Sequence, residues 1–239
     1  MNSFQTYSKL SVILILLIFL ISSCNLCFEG TGPIEEDTRD LMAFTELELD
    51  IDADVVVRIG ESHSLTISAQ GNLLDVISTE VHSGKLTIEA DPCISSNYRV
   101  NIDVETNSLS SIKLNGSGDI TVIDELHADD VDMKINGSGN LTADVFTNDL
   151  RIKINGSGDV MLTGTADDAD MAIYGSGSIN ASGLQAYQVY IKINGSGNTS
   201  IHALNSLKVN VKGSGDVRYS GDPTIKTSIS GSGSVTKMN

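Results

Sequence analysis

The chain has 239 residues, 40% of them hydrophobic, which supplies a core for one large domain or two small ones and excludes a disordered chain. Its formal charge of −16, from 31 acidic and 15 basic residues, repels phosphate backbones and excludes nucleic acid as a natural partner. With no Trp, 3 Pro and 22 Gly, the composition points to many short strands joined by tight turns.

The first element is an address. Lys9 precedes an apolar run from Leu10 to Ile21. This run is shorter than the ~20 residues that span a bilayer, so residues 1–23 read as a secretory signal peptide. Ile21-Ser22-Ser23-Cys24 resembles the lipobox of bacterial lipoproteins. The resemblance implies cleavage before Cys24, acylation of that cysteine, and a membrane partner held through the lipid anchor. The expected location is the cell envelope, as an outer-membrane lipoprotein facing the periplasm or the cell surface.

Residues 24–43 contain Gly30, Gly32, Pro33 and the acidic Glu35-Glu36-Asp37, and read as a flexible tether. Cys27 and Cys93 belong to a chain bound for an oxidising compartment, which leaves a disulfide or two inert thiols. Neither has the His or Asp neighbour that a thiol nucleophile requires.

Residues 44–110 read as irregular first coils of a solenoid. Leu47, Leu49 and Ile51 alternate with polar residues, Asp52-Ala53-Asp54 occupies a corner, and Val55 and Val57 resume the alternation. Further strands are expected at Ser64–Ser68, Lys85–Glu89 and Arg99–Glu105. Terminal coils must blunt an exposed edge and so depart from consensus.

Residues 111–239 carry the signal that decides the architecture. Gly-Ser-Gly recurs seven times, with its glycines at Gly116 and Gly118, Gly137 and Gly139, Gly156 and Gly158, Gly175 and Gly177, Gly195 and Gly197, Gly213 and Gly215, and Gly231 and Gly233, at intervals of 18 to 21 residues. Two residues before each tripeptide stands Leu114, Ile135, Ile154, Ile173, Ile193, Val211 or Ile229, and two beyond it the alternation resumes with Ile120, Leu141, Val160, Ile179, Thr199, Val217 and Val235. Period two with one apolar face means a strand buried on one side, before and after each corner. Matching columns of aliphatics, of glycines and of Asn115, Asn136 and Asn155 select a solenoid in which like stacks on like, rather than an antiparallel meander. The expected fold is therefore all-β: one continuous parallel β-helix from residue 44 onward, with 18–21 residues per coil. The last tripeptide stands near residue 239, so the final coil is either an exposed edge or a surface for self-association.

The residues that bear chemistry are few. The column after the corner reads Asp119, Asn140, Asp159, Ser178, Asn198, Asp216, Ser234, with no two aspartates adjacent. Asp119, Asp159 and Asp216 are its weak candidates for calcium, which needs several converging oxygens. Asp124, Glu125, Asp129 and Asp130, and separately Asp167, Asp168 and Asp170, are carboxylate clusters that a glycosidase would need, placed in what should be solvated turns. Lys113, Lys134, Lys153 and Lys192 form a solvated basic column, and Tyr187 with Tyr190 could make a small aromatic patch. His63, His82, His127 and His202 lack ligand spacing, so neither a metal site nor a cofactor is expected.

The Asn-Gly-Ser-Gly-Asp corners at Asn115–Asp119 and Asn155–Asp159, together with the lipobox and the degenerate first half, resemble the family described as putative auto-transporter adhesin, head GIN domain. The resemblance runs from about Phe44 to Val235 and implies a right-handed parallel β-helix, a cell-envelope location and no catalytic activity. This chain departs from the motif at Tyr174, Lys212 and Ser230, where the Asn before the corner is lost. The expected function is a non-catalytic, adhesin-like envelope lipoprotein that binds an unidentified protein or glycan. The alternatives are a carbohydrate-binding or carbohydrate-active β-helix and a calcium-stabilised repeat protein.

Overall fold

The structure is a computed structural model that describes residues 27–238, so the signal segment and Cys24 lie outside it. The chain enters through β1 (Phe28–Glu29) and β2 (Ile34–Asp40), then makes a first coil from β3 (Glu46–Leu49) and β4 (Ala53–Ile59). It next turns back through β5 (Ser64–Gln70), a single helical turn α1 (Gly71–Leu74), β6 (Ile77–His82), β7 (Lys85–Ala90), β8 (Ile94–Ser95) and β9 (Val100–Thr106). The regular stack follows: β10 (Ser111–Gly116), β11 (Asp119–Gly137), β12 (Asn140–Gly156), β13 (Asp159–Gly175), β14 (Ser178–Gly195) and β15 (Asn198–Gly213). The last full coil comprises β16 (Val217–Ser220) and β17 (Thr224–Gly231), and β18 (Val235–Lys237) begins the next by lying on β16.

From β10 to β18 every pairing between successive coils is parallel and in register. Gly116, Gly137, Gly156, Gly175, Gly195, Gly213 and Gly231 form one column, as the repeat spacing requires. The inward aliphatics Leu114, Ile135, Ile154, Ile173, Ile193 and Val211 are each 0% exposed, so each contributes roughly 1.5–3 kcal/mol of apolar burial. The chain is thus a parallel β-helix, held by a continuous aliphatic tube.

Two features differ from the reading of the sequence. Each regular coil has three straight runs rather than two. Between the run after the corner and the run before the next one lies a third, marked by inward Leu126 and Val145 and bounded by register shifts such as that between Thr121 and Glu125. Thr147 lies at its bend. Thr147 is buried there because its hydroxyl donates to the carbonyls of Asp129 and Asp149.

The second difference concerns the tether. The expected spacer 24–43 gives way at Ile34 to β2, which pairs antiparallel with β5 along its whole length. Glu36 and Asp40 face solvent, while Asp37 and Arg39 stand on the inner face, where Arg39 donates to Asp37, to the carbonyls of Leu74 and Ile77, and to Thr79. A strand with this composition shows no apolar alternation, which is why periodicity missed it. The three strands expected within 44–110 are present as β5, β7 and β9, but they do not follow one another up the stack. Instead β7 and β9 lie on the far side of β3 and β4 from β10 and β11, so the chain first builds downward and then rejoins above. Antiparallel β5, β2 and β6 close this end. Cys27 and Cys93 are joined by a disulfide, which fastens β1 to β8 beside them. Among the described residues no helix is long and apolar enough to cross a membrane.

Candidate binding surface

The corners are built by backbone lying on backbone. An added Cβ at Gly156, whose φ is +140°, would sit 2.1 Å from the Gly137 carbonyl oxygen, and one at Gly158 would sit 2.2 Å from that of Gly139. No side chain fits there, which accounts for both glycine columns. The column just after the corner is a second ladder. Asp119 accepts from the Asn140 backbone N–H at 3.0 Å, Asp159 from that of Ser178 at 2.8 Å, and Asp216 from that of Ser234 at 2.9 Å. Asn140 and Asn198 accept likewise from Asp159 and Asp216. Short oxygen-bearing side chains stand there because each satisfies an amide of the next coil.

This ladder bears on the calcium reading. Asp119 and Asp159 are separated by a whole coil, with Asn140 between them, and each already accepts a backbone hydrogen bond. The three candidate aspartates do not converge on a common point. The column also extends one coil further than expected, and there two aspartates do meet: Asp54 lies directly beside Asp119. Arg99 lies 2.8 Å from Asp54 and offsets the repulsion.

The run before the corner presents four parallel columns. The innermost is the asparagine ladder: Asn136 donates to Asn115 and Asn155 to Asn136, each at 2.7 Å, and Asn115 donates on to Asp50. Tyr174 ends it. Asn194, flanked by Tyr174 and Lys212, has a buried Oδ1 with no hydrogen-bond partner among the described residues.

The lysine column next to it starts from a carboxylate that the repeat did not reveal. Glu48 is nearly buried and accepts from the ammonium groups of Lys113 and of Lys85, the latter at 2.6 Å. These hydrogen bonds, Lys113 foremost, lower its pKa to about 2. Further along, Ala172 interrupts the lysines, and the Lys153 and Lys192 ammonium groups lie 5.2 and 5.3 Å from the centre of the Tyr174 ring. Hydrogen bonding to Tyr174 holds Lys192 above the usual lysine range.

The two outer columns enclose an open groove of about 430 Å³ that runs along the stack axis. Asp149, Asp168, Gln188 and Ser206 form one rail, and Arg151, Asp170, Tyr190 and Lys208 the other. The Lys208 ammonium lies 5.0 Å from the centre of the Tyr190 ring. Tyr187 stands 51% exposed at the bend and does not line the groove, so the expected tyrosine patch reduces to Tyr190.

The carboxylate clusters part company in the structure. Asp124 accepts from the Ile59 backbone N–H at 2.9 Å, and Glu125 pairs with His127 at 3.0 Å. Asp130, Asp149 and Asp168 stack in direct register, one per coil, with Arg151 3.5 Å from Asp130. The like-charge avoidance that the regular coils show after the corner therefore does not hold on this column. His127 stacks on Phe146 of the next coil with ring centres 4.9 Å apart.

The comparisons with known proteins agree with this architecture. A putative adhesin from Bacteroides fragilis is 24% identical and superposes with a TM-score of 0.84, covering 88% of this chain and all of its own. A protein from Parabacteroides distasonis described as a putative lipid binding protein is 26% identical, with a TM-score of 0.75 over 89% of this chain and 99% of its own. A putative adhesin from Parabacteroides merdae is 23% identical, with a TM-score of 0.72 over 88% of this chain and 98% of its own. No curated protein matches the sequence. The family model for putative auto-transporter adhesin, head GIN domain, matches residues 43–223, which takes in the first coil, six of the seven Gly-Ser-Gly corners and the groove, and the chain belongs to that family.

Proposed function

We propose that this protein is a non-catalytic envelope lipoprotein, anchored through Cys24, whose β-helix binds a polymeric ligand along the groove beside Tyr190. The observation that carries the reading is the form of the groove. It is open, follows the coil axis, and offers donors and acceptors repeated at ~4.8 Å intervals, which suits an extended chain better than a small molecule. The family's description as an adhesin supports the same reading.

A carbohydrate polymer is favoured over a protein by one feature: the half-buried Tyr190 ring lies between the Asp170 carboxylate and the Lys208 ammonium of the adjacent coils, with the Gln188 amide on the neighbouring rail, a mixture that suits a sugar face and its hydroxyls. The test is a glycan array and an envelope-extract pull-down with wild type and with Tyr190→Ala. Loss of at least tenfold in affinity in the variant supports the groove. Equal binding by both, or binding only to lipid vesicles included in view of the relative described as lipid-binding, removes it. Anchoring is tested separately by labelling cells with a radioactive fatty acid. Incorporation should vanish in Cys24→Ser.

A further inference from the structure

The two poles of the stack are finished differently. At the pole built by β2, β5 and β6, α1 buries Leu73, and the inward positions of the edge strand are Asp37 and Arg39, already paired at 2.7 Å. Inward charge of this kind protects a free edge from pairing with another sheet. The opposite pole has no such device among the described residues. Ile225 and Ile229 of β17 lie in register with Leu207 and Val211, which are 1% and 0% exposed, yet they are themselves 38% and 42% exposed. They point into the tube, and nothing described covers them.

We propose that this pole docks on the same pole of a second copy, with β17 pairing antiparallel to its counterpart about a two-fold axis at Thr227. The sequence of β17 is self-complementary about that residue. Ile225-Lys226-Thr227-Ser228-Ile229 places Ile225 opposite the second copy's Ile229, Thr227 opposite itself, and Lys226 opposite Ser228. All inward positions then meet apolar or hydroxyl partners, and no like charges oppose one another. Residues 217–237 carry Arg218, Lys226 and Lys237 against Asp222 alone, so this end lacks the acidic excess that makes the rest of the molecule, at −16 overall, self-repelling. Docking on the other pole of a neighbour would set Ile225 and Ile229 against the Asp37–Arg39 pair, with no apolar complement. A same-pole contact is isologous and closes at two copies. The inference concerns a surface distinct from the Tyr190 groove, and each can fail without the other.

The experiment uses the full chain in mild detergent. Sedimentation velocity should show a reversible monomer–dimer equilibrium, and Ile225→Lys combined with Ile229→Lys should weaken it at least tenfold, with far-UV circular dichroism unchanged. Thr227→Cys provides the second arm, because a residue on the two-fold axis meets itself: mild oxidation should link it into dimers far faster than it links Lys226→Cys or Ser228→Cys. A wild type that stays monomeric at high concentration, species that grow beyond two copies, equal linking at all three positions, or capture of this pole by phosphatidylethanolamine vesicles in place of a second copy would each overturn the proposal.

Discussion

At the corner of each regular coil glycine lies on glycine, whereas the corner before them, Asp50 to Ala53, is made of residues with side chains. Gly116 stands at the junction. Its φ of +128° resembles the +140° of Gly156, but a Cβ on Gly116 would meet only the Ile51 carbonyl oxygen, at 3.9 Å, while one on Gly156 would meet that of Gly137 at 2.1 Å. The Cβ of each corner glycine points back at the preceding coil, so Gly116 escapes the constraint that it imposes on Gly137, whereas Gly118, whose Cβ would sit 2.2 Å from the Ala53 carbonyl oxygen, does not. The regular region achieves its spacing by removing side chains. The region before it relies on specific pairs instead: Glu48 with Lys85 and Lys113, Arg39 with four partners, and Arg99 with Asp54.

The sharpest way to break this comparison is a matched pair of alanines. Gly156→Ala should cost about 3–5 kcal/mol, since backbone must move on two coils, whereas Gly116→Ala should cost only the φ strain, about 1–2 kcal/mol. Urea unfolding of the two variants measures both, and equal losses would mean that φ alone sets the glycine columns.

The next effect belongs to the irregular region. Glu48→Gln should cost about 1–2 kcal/mol at pH 7, less than a fully buried pair because both lysines remain partly exposed. The folded pKa of Glu48, about 2, lies below its ordinary value of 4.5. Its contribution is therefore present above pH ~4.5 and lost as the pH falls toward 2. Thermal melts of wild type and Glu48→Gln should accordingly converge across that interval, and curves that stay parallel to pH 2 would remove the carboxylate from the account.

The smallest effect lies where the regular region departs from its own pattern. Thr199 occupies an aliphatic column between Ile179 and Val217, 2% exposed, with its hydroxyl unpartnered among the described residues. Thr199→Val should raise stability by about 1 kcal/mol, read from the urea midpoint. No gain would imply a partner for that hydroxyl, such as a buried water.

What could be read beforehand follows the same division. Columns of identical residues are self-evident in a repeat, so the parallel stack, its register and the positions of the corners could all be inferred from Leu114 to Ile229. Glu48, Arg39 and Arg99 each occur once, and their roles depend on contacts between segments 35 to 65 residues apart, which no local pattern encodes. The bend at Thr147 was hidden for another reason. A buried threonine that bonds two carbonyls has the same composition as a solvated turn. The groove beside Tyr190 was only half visible, because its rails join residues from four coils while the sequence displays Tyr187 and Tyr190 as neighbours.

The in-register glycine columns also bear on how long such a molecule can be. Gly156 lies directly over Gly137 and under Gly175, and every corner presents its neighbours with the same surface. A whole rung can therefore be duplicated or lost between equivalent glycines without creating a new kind of junction, and height becomes an integer that lineage history is free to adjust. Only the antiparallel closing strands at the β2, β5 and β6 pole resist such counting.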